Sequence, residues 1–262
     1  MITNEQCQHF KEWFEQYAHS FLTGNSDFDQ GFELKIIHTK KVCSEIIELC
    51  KSLSLDESKT NIAFVIALFH DLGRFEQYKN YQTYNDSISI NHAALGIQIL
   101  KEKRILKNLD SEIKKIIIKS INRHNTISLR NIKNADELLF AQLIRDADKL
   151  DIFRLCCEEY VQSKYDSAIG LGLPDSPDVS EKVFHHLMNE QPINYKDLKT
   201  YTDFKLIKLG WLTDINFSYS FKTIKERNYL KIIYQSIIEN KKTSMVYEKY
   251  NTMLENKIAV NS

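Results

Sequence analysis

The chain has 262 residues, 43% of them hydrophobic and 27% charged, a composition typical of a globular protein with a full hydrophobic core. Its 35 basic and 35 acidic side chains cancel, so no overall charge attracts nucleic acid or an anionic membrane, and neither is expected as a partner. The five cysteines form no CxxC pair, which argues against a disulfide framework or a zinc knuckle.

Apolar residues recur at helical spacing along nearly the whole chain, and glycine (7) and proline (3) are scarce. The predicted helices cover residues 4–22, 32–53, 58–73, 88–104, 111–124, 135–166, 180–190, 195–211, 217–240 and 244–256. Residues 74–87 are polar and rich in tyrosine, and a loop is expected there. No run shows the alternation of a strand, so the fold class is predicted to be all-α.

Two segments bear on organisation and location. Residues 167–180 hold two of the seven glycines and two of the three prolines, and they form either a lid or a plain connector. The N-terminal residues lack the pattern of a signal peptide, and no apolar run reaches about 18 residues, so the cytoplasm is the expected compartment.

Four histidines fall on four different predicted helices, and each extends or flanks the apolar face of its helix. They are His38, His70, His92 and His124, and Asp71 follows His70 directly. Burying four imidazoles without partners costs about 1–3 kcal/mol for each unmet hydrogen bond. A shared divalent metal removes this cost, because neutral imidazole and carboxylate are natural ligands of such ions. The other histidines, among them His185 and His186, have no acidic partner in the pattern and are expected to be structural or exposed.

A further acidic ligand is expected from the segment RDADKLD at residues 145–151. Asp148 lies one turn after Ile144 on the flank of an apolar helix face and is the predicted ligand. Asp151 also faces inward and is expected to support a ligand. Asp146 points about 200° away from Asp148 and is expected to cap or form an ion pair at the surface.

These segments resemble the HD superfamily of metal-dependent phosphohydrolases. The resemblance covers about residues 30–160 and rests on His38, HDLGRF (70–75), NHAALG (91–96), RHN (123–125) and RDADKLD (145–151). It implies that His38, His70, Asp71 and Asp148 bind one divalent metal, and that His92 and His124 bind a second one with Asp71 as the bridge. Some dinuclear members have His-His where this chain has His124-Asn125. The match to the family pattern is therefore closer at the first site than at the second.

The resemblance also implies the cofactor and the domain organisation. The cofactor is a divalent ion (Mn, Co, Ni, Fe, Mg or Zn), with one or two per chain. The whole chain, 1–262, is expected to form one helical domain, in which an N-terminal helix (4–22) and a C-terminal helical extension (180–256) accompany the HD core.

The predicted activity is hydrolysis of a phosphomonoester or phosphodiester by metal-activated water, with a nucleotide as the favoured small-molecule substrate. Asp71 is the central catalytic residue. Arg74 and Lys149 are the preferred contacts for the phosphate, ahead of Arg123 and Arg145. Glu76 is a candidate proton donor, with an exposed loop acid as the alternative.

Two other functions fit the same residues. A di-iron oxygenase of the same superfamily would need both metal sites and iron, and a non-catalytic metal-containing protein would sense a nucleotide without cleaving it. Tyr78, Tyr81 and Tyr84 either stack on a nucleobase or pack within their loop. The oligomeric state stays open.

Overall fold

The computed structural model describes residues 1–162 and 172–260, and these residues contain helices and connections but no strand. The predicted all-α fold class is confirmed. The helices are α1 (Asn4–His19), α2 (Ser26–Ser52), α3 (Glu57–Phe69), α4 (Gly73–Tyr81), α5 (His92–Glu102), α6 (Ser111–Arg123), α7 (Ala135–Val161), α8 (Glu181–Met188), α9 (Tyr201–Gly210), α10 (Ser218–Glu226), α11 (Tyr229–Gln235) and α12 (Lys241–Val260). Short 3₁₀ turns lie at Tyr195–Asp197 and Trp211–Asp214.

The chain divides into two compact units, Met1–Asp151 and Ile152–Ser262. The single domain expected from the sequence stays a prediction, because compactness alone does not decide whether two units fold separately. No helix in the described part of the chain combines the length and the hydropathy that a membrane span requires.

Helix α3 is the centre of the first unit. Every residue from Asn61 to Phe69 except Phe64 is buried, and α3 packs against α1, α2 and α6. A helix that is apolar on all sides is stable only when it is covered on all sides. His70 and Asp71 follow directly on the last residue of this helix, so the structure carries them into the interior.

The predicted loop at residues 74–87 is wrong in its first half, because residues 73–81 form α4. The helix is mostly polar, yet Phe75 and Gln77 on opposite sides of it are both buried, because α4 packs against α2 and α5. The centroid of the Phe75 ring lies 5.9 Å from that of Phe14 and 6.4 Å from that of Phe32, and this aromatic packing stabilises the helix.

Two glycines allow α4 and α5 to approach closely. A Cβ atom on Gly73 would lie 2.1 Å from the backbone oxygen of His92, and one on Gly96 would lie 3.1 Å from the backbone nitrogen of Gly73. The glycines of the HDLG and HAALG segments therefore bring the start of α5, and His92 with it, close to the Asp71 turn.

In the second unit, the predicted helix 217–240 is two helices, α10 and α11. Asn228 lies between them in the left-handed conformation, with φ of 54°, and this ends the helical run. Residues 163–171, which contain the end of the predicted helix 135–166 and part of the 167–180 break, lie outside the described residues.

Candidate metal centre

Four histidine rings from four elements of the first unit converge at one place. The Nε2 atoms of His38 and His70 are 3.4 Å apart, and those of His92 and His124 are 2.9 Å apart. The rings of His70 and His124 link the two pairs, with centroids 5.2 Å apart. All four side chains are buried. The structure thus brings together every histidine that the sequence predicted as a metal ligand.

Each of these imidazoles directs its Nδ1 atom at an oxygen that can only accept a hydrogen bond. His38 contacts Asp151 Oδ2 and His92 contacts Asp86 Oδ2, both at 2.7 Å. His70 and His124 contact the backbone oxygens three residues before them, also at 2.7 Å. Because Nδ1 carries the proton in these bonds, the Nε2 atom of each neutral ring presents its lone pair to the centre.

The Asp71 carboxylate lies between the two histidine pairs. Its Oδ2 atom is 3.6 Å from His38 Nε2 and 3.7 Å from His70 Nε2. Its Oδ1 atom is 3.3 Å from His92 Nε2 and 3.7 Å from His124 Nε2. One carboxylate oxygen therefore faces each pair, which is the arrangement of a bridging ligand.

Asp148 completes the first group. Its Oδ1 atom is 3.1 Å from His38 Nε2 and 3.7 Å from His70 Nε2, and its side chain is partly exposed at 17%. Asp151, one turn further along α7, is buried and supports His38 as described above.

The spacing of these atoms fits divalent metal ions. Two ligand atoms that lie about 2.1 Å from one ion are about 3.0 Å apart at a right angle and about 3.4 Å apart at a tetrahedral angle. The contacts described for the first group, His38, His70, Asp71 and Asp148, span 3.1–3.7 Å. Those of the second group, His92, His124 and Asp71, span 2.9–3.7 Å. Both groups have spacings that overlap this range and extend slightly above it, and the first group has one more carboxylate.

Lys35 is part of the site, although the sequence analysis missed it. Its Nζ atom is 2.8 Å from Asp71 Oδ2 and lies over the ring of Tyr84, 5.2 Å from its centroid. Lys35 precedes His38 by three residues, so the two share one face of α2. That spacing was the signal that could have identified it.

A second missed residue, Asp86, supports the second histidine pair. Besides His92, it binds Arg74 Nη1 at 2.9 Å, Gln77 Nε2 at 2.9 Å and Asn125 Nδ2 at 3.3 Å. Asp86 lies in the connection before α5, where no periodic pattern marks a residue as inward-facing.

Arg74 is held in place by several partners. Its Nη1 atom also donates to Gln77 Oε1 at 2.8 Å and to the backbone oxygen of Tyr84 at 2.6 Å. Its Nε atom is 3.5 Å from Asp71 Oδ1. Arg74 therefore ties the Asp71 turn to the loop that carries Asp86, and its contact with a phosphate stays a prediction.

The charges of the centre are set by these contacts. Burial raises the pKa of Asp71, but Lys35, His70 and Arg74 outweigh it and hold that pKa well below the usual range. Burial likewise raises the pKa of Asp148, and hydrogen bonds from His38 and His70 more than reverse this. Both carboxylates are ionised at neutral pH, which suits them to bind a cation.

His38 and His92 differ in protonation. Burial and the charge of Arg74 lower the pKa of His92 to about 3. Burial and Lys35 also lower the pKa of His38, but hydrogen bonds to Asp148 and Asp151 outweigh them, so that pKa is raised. His92 is neutral at physiological pH without help from a metal.

Other candidates from the RDADKLD segment take different places. Arg145 is buried and donates to the backbone oxygens of Arg123 (3.1 Å), His124 (3.1 Å) and Thr126 (2.5 Å), so it fixes the end of α6.

Asp146 is fully buried, so its expected surface position is wrong. The apolar face of α7 is wider than the sequence pattern indicated. Lys149 is half-buried next to Asp148, and its contact with a phosphate stays a prediction.

Glu76 lies on another side of α4. It lines a cavity of about 760 Å³ together with Tyr17, Phe21 and Lys79. Burial and the nearby Glu76 carboxylate raise the pKa of Tyr17, which places the two groups close together. Glu76 follows Arg74 by two residues, or about 200° around the helix, so its position does not support the predicted role of proton donor at the centre.

The tyrosines behave differently from one another. Tyr78 and Tyr84 stack with ring centroids 4.9 Å apart, and the Tyr84 hydroxyl donates to the backbone oxygen of Gly31 at 2.6 Å. Packing within the protein, which the sequence analysis left as one of two alternatives, is thus found for these two rings. Tyr81 is 49% exposed.

Comparison with protein families adds a decisive observation. The family model described as the HD domain matches residues 36–152, a range that contains every ligand of both groups. Residues 36–152 of this chain form an HD domain. Most members of the HD-domain superfamily are metal-dependent phosphohydrolases, and HD domains bind divalent metals. Neither the comparison with curated proteins nor the comparison with solved structures gave a match.

Within the HD domain, the matched range ends at residue 152, just past Asp148 and Asp151. The His-Asp pair that gives the domain its name is His70-Asp71, at the junction of α3 and α4. The His and Asp groups found in the structure, His38–His70–Asp71 and Asp71–His92–His124, are each able to hold a metal ion.

Proposed function

We propose that this HD domain is a metal-dependent phosphohydrolase that cleaves a phosphomonoester or phosphodiester, with nucleotides as the favoured substrate class. The observation that carries the proposal is the Asp71 carboxylate, whose two oxygens face two histidine pairs with their Nε2 atoms directed inward. A divalent metal bound there lowers the pKa of a water molecule and draws charge from a phosphoryl oxygen.

The protein's own residues supply the surroundings that this reaction needs. Asp151 and Asp86 orient His38 and His92, and so keep their lone pairs directed at the centre. Lys35 is partly exposed at 15% and lies within 2.8 Å of Asp71, where its ammonium group is suited to bind a phosphoryl oxygen. Lys149 and Arg74 are the further cations proposed to contact the substrate.

The test begins with protein purified without added metal. Bound metal is quantified, and release of product from aryl phosphate mono- and diesters is measured with Mn, Co, Ni, Mg or Zn. We expect metal-dependent turnover in the wild type and its loss in Asp71→Ala. Asp136→Ala is the matched control, because this carboxylate is 51% exposed and pairs only with Lys59 among the contacts described for it.

The same experiment separates the alternatives. A carboxylate between two histidine pairs also suits a di-iron oxygenase, which would show iron in the purified protein and consumption of dioxygen. Bound metal and nucleotide binding without turnover would instead indicate a sensor. Failure of the wild type to bind any metal after reconstitution would contradict all three functions.

A further inference from the structure

The chain has no net charge, but its basic and acidic side chains are unevenly distributed along the sequence. Residues 101–134 contain ten basic and three acidic side chains, an excess of seven positive charges. The rest of the chain therefore carries an excess of seven negative charges. Residues 101–134 include the end of α5, the whole of α6 and the connection to α7.

Three of these basic side chains line one groove on the surface. Helices α5 and α6 pack together, and the Lys114 ammonium group donates to the backbone oxygen of Lys107 at 3.0 Å. Between the helices lies a groove of about 560 Å³, lined by Lys101, Lys119, Arg123, the polar side chains of Asn122 and Thr126, and the apolar side chains of Ile97 and Ile118. We call the exposed side chains of residues 101–123 the basic face.

Helix α6 gives this face a direction. Lys115, Lys119 and Arg123 follow one another at intervals of four residues, so they form a stripe about 12 Å long. The stripe ends directly before His124, whose Nε2 atom belongs to the metal centre. Lys119 and Arg123 share the buried Glu137, at 2.6 and 3.1 Å, which offsets one charge and fixes both cations in place.

We propose that the basic face binds the phosphate backbone of a single nucleic-acid strand and leads one end of that strand toward the metal centre. Cations repeated along a groove match the repeated charges of such a backbone. A single strand suits this path better than a duplex. The four histidines and Asp71 are buried, so a thin, flexible chain end can approach them more easily than a rigid duplex can.

Two other anionic partners fit this face less well. A membrane surface requires large apolar side chains beside the cations, and Ile127 is the single large apolar residue that is strongly exposed within residues 101–134. An acidic protein would match the charge, but it would not explain why the stripe ends at a centre suited to phosphate chemistry. The experiment below therefore compares the strand with an acidic polymer and with anionic vesicles.

This inference deepens the proposed function, because it names a strand end as the phosphate ester, but binding itself does not depend on turnover. It also departs from the expectation that the chain has no nucleic-acid partner. That expectation rested on the average charge, which conceals the difference between residues 101–134 and the rest.

The test measures binding of a fluorescent 12-nucleotide single strand by anisotropy, in EDTA, at salt concentrations from 50 to 200 mM. The variant Lys101→Gln/Lys107→Gln/Lys115→Gln removes three exposed charges from the basic face. The control Lys11→Gln/Lys41→Gln/Lys51→Gln removes three exposed lysines of α1 and α2. Circular dichroism verifies that both variants keep the helical content of the wild type.

We expect the first variant to bind about 10-fold more weakly than the control, and to lower the slope of log K against log salt by about 2, since each lost contact with a single strand contributes about 0.7. Equal weakening in both variants, or tighter binding of polyglutamate or anionic vesicles than of the strand, would overturn the proposal. Asp71→Ala is expected to bind the strand as the wild type does. Loss of turnover in that variant therefore tests the proposed function, while strand binding tests this inference.

Discussion

The two histidine pairs of the centre follow the same plan but differ in how they are supported. Each pair has one histidine at the end of a helix, bonded through Nδ1 to a backbone oxygen of that helix, and one bonded to a carboxylate. For the first pair this carboxylate is Asp151, which lies within α7 and is 1% exposed. For the second it is Asp86, which lies in a connection and is 29% exposed.

This difference indicates unequal stability of the two metal groups. The first group has an additional carboxylate, Asp148, and all of its support comes from helices or their ends. The second group depends on a loop held by Arg74, Gln77 and Asn125. We therefore expect the first site to bind metal more tightly than the second.

The largest effect is expected when each group loses one ligand of its own. Asp148→Ala should lower kcat about 10³-fold and remove metal from the first group, because His38 and His70 lose their shared carboxylate. His124→Ala should keep the metal ion of the first group and lose that of the second. In a wild-type chain that binds two metal ions, this lowers the metal content by one equivalent. Metal analysis after dialysis measures both. The metal left in His124→Ala, held by the first group, should resist dialysis better than the metal left in Asp148→Ala, and equal or weaker retention would contradict the ranking.

Gly73→Ala should disturb the second group through the backbone. The new Cβ atom would meet the His92 backbone oxygen at 2.1 Å, and relieving that overlap should cost about 3 kcal/mol of the free energy of unfolding. Urea denaturation measures the loss. Gly96→Ala is the control, since its Cβ contact is 3.1 Å and the cost should be about 1 kcal/mol or less. Equal costs would mean that the close approach of α4 and α5 is not rigid.

Removing the charge of each supporting carboxylate tests the comparison directly. Asp86→Asn should weaken metal binding about 10- to 100-fold at the second group only, because His92 loses the partner that fixes its Nδ1 proton. Asp151→Asn should have the corresponding effect at the first group. Titration calorimetry with Mn²⁺ on the two variants distinguishes the sites. If Asp86→Asn weakened the tighter of the two metal sites instead, the second group would be the tighter one and the ranking would be reversed.

The pH dependence of the metal-free protein should also separate the pairs. The pKa of His92 in the folded state, about 3, lies below its unfolded value, so the unfolded state binds the extra proton first and stability falls as the pH is lowered from about 6.5 towards 3. One such proton contributes a slope of up to about 1.4 kcal/mol per pH unit. His92→Gln should flatten this part of the curve.

His38 should respond in the opposite direction. Its raised pKa contributes stability that is present below about 6.5 and is lost as the pH rises through the folded value. Imidazole nitrogen NMR of metal-free protein should therefore show His38 keeping its proton at a pH where His92 is neutral. Titration of both rings near the ordinary value of about 6.5 would contradict the contacts described for them.

Much of this centre could be predicted from the sequence, and the reasons are local. The four histidines and Asp148 each continue or flank the apolar face of a helix, so periodicity alone directed them inward. Their order along the chain then matched the HD pattern. The boundaries of α3 and α6 followed from the same periodicity to within a few residues.

The residues that were missed depend on tertiary contacts. Asp86 follows no periodic pattern, and its role arises only because α4 and α5 meet at Gly73 and Gly96. Glu76 was predicted as a candidate proton donor in an expected loop, but it lies on the helix α4 and lines a different cavity. The segregated charge of residues 101–134 was readable in the sequence, but an average over the whole chain conceals it.

His70 and His124 have a consequence for protein engineering. Each follows the last residue of its helix, and each bonds to the backbone oxygen three residues earlier, so the helix end itself selects the tautomer. Such an end needs no partner from elsewhere in the chain to present an unprotonated Nε2 atom. A helix that closes with histidine in this conformation is a transferable building block, and two of them facing a shared carboxylate are a compact starting point for designing metal sites in helical scaffolds.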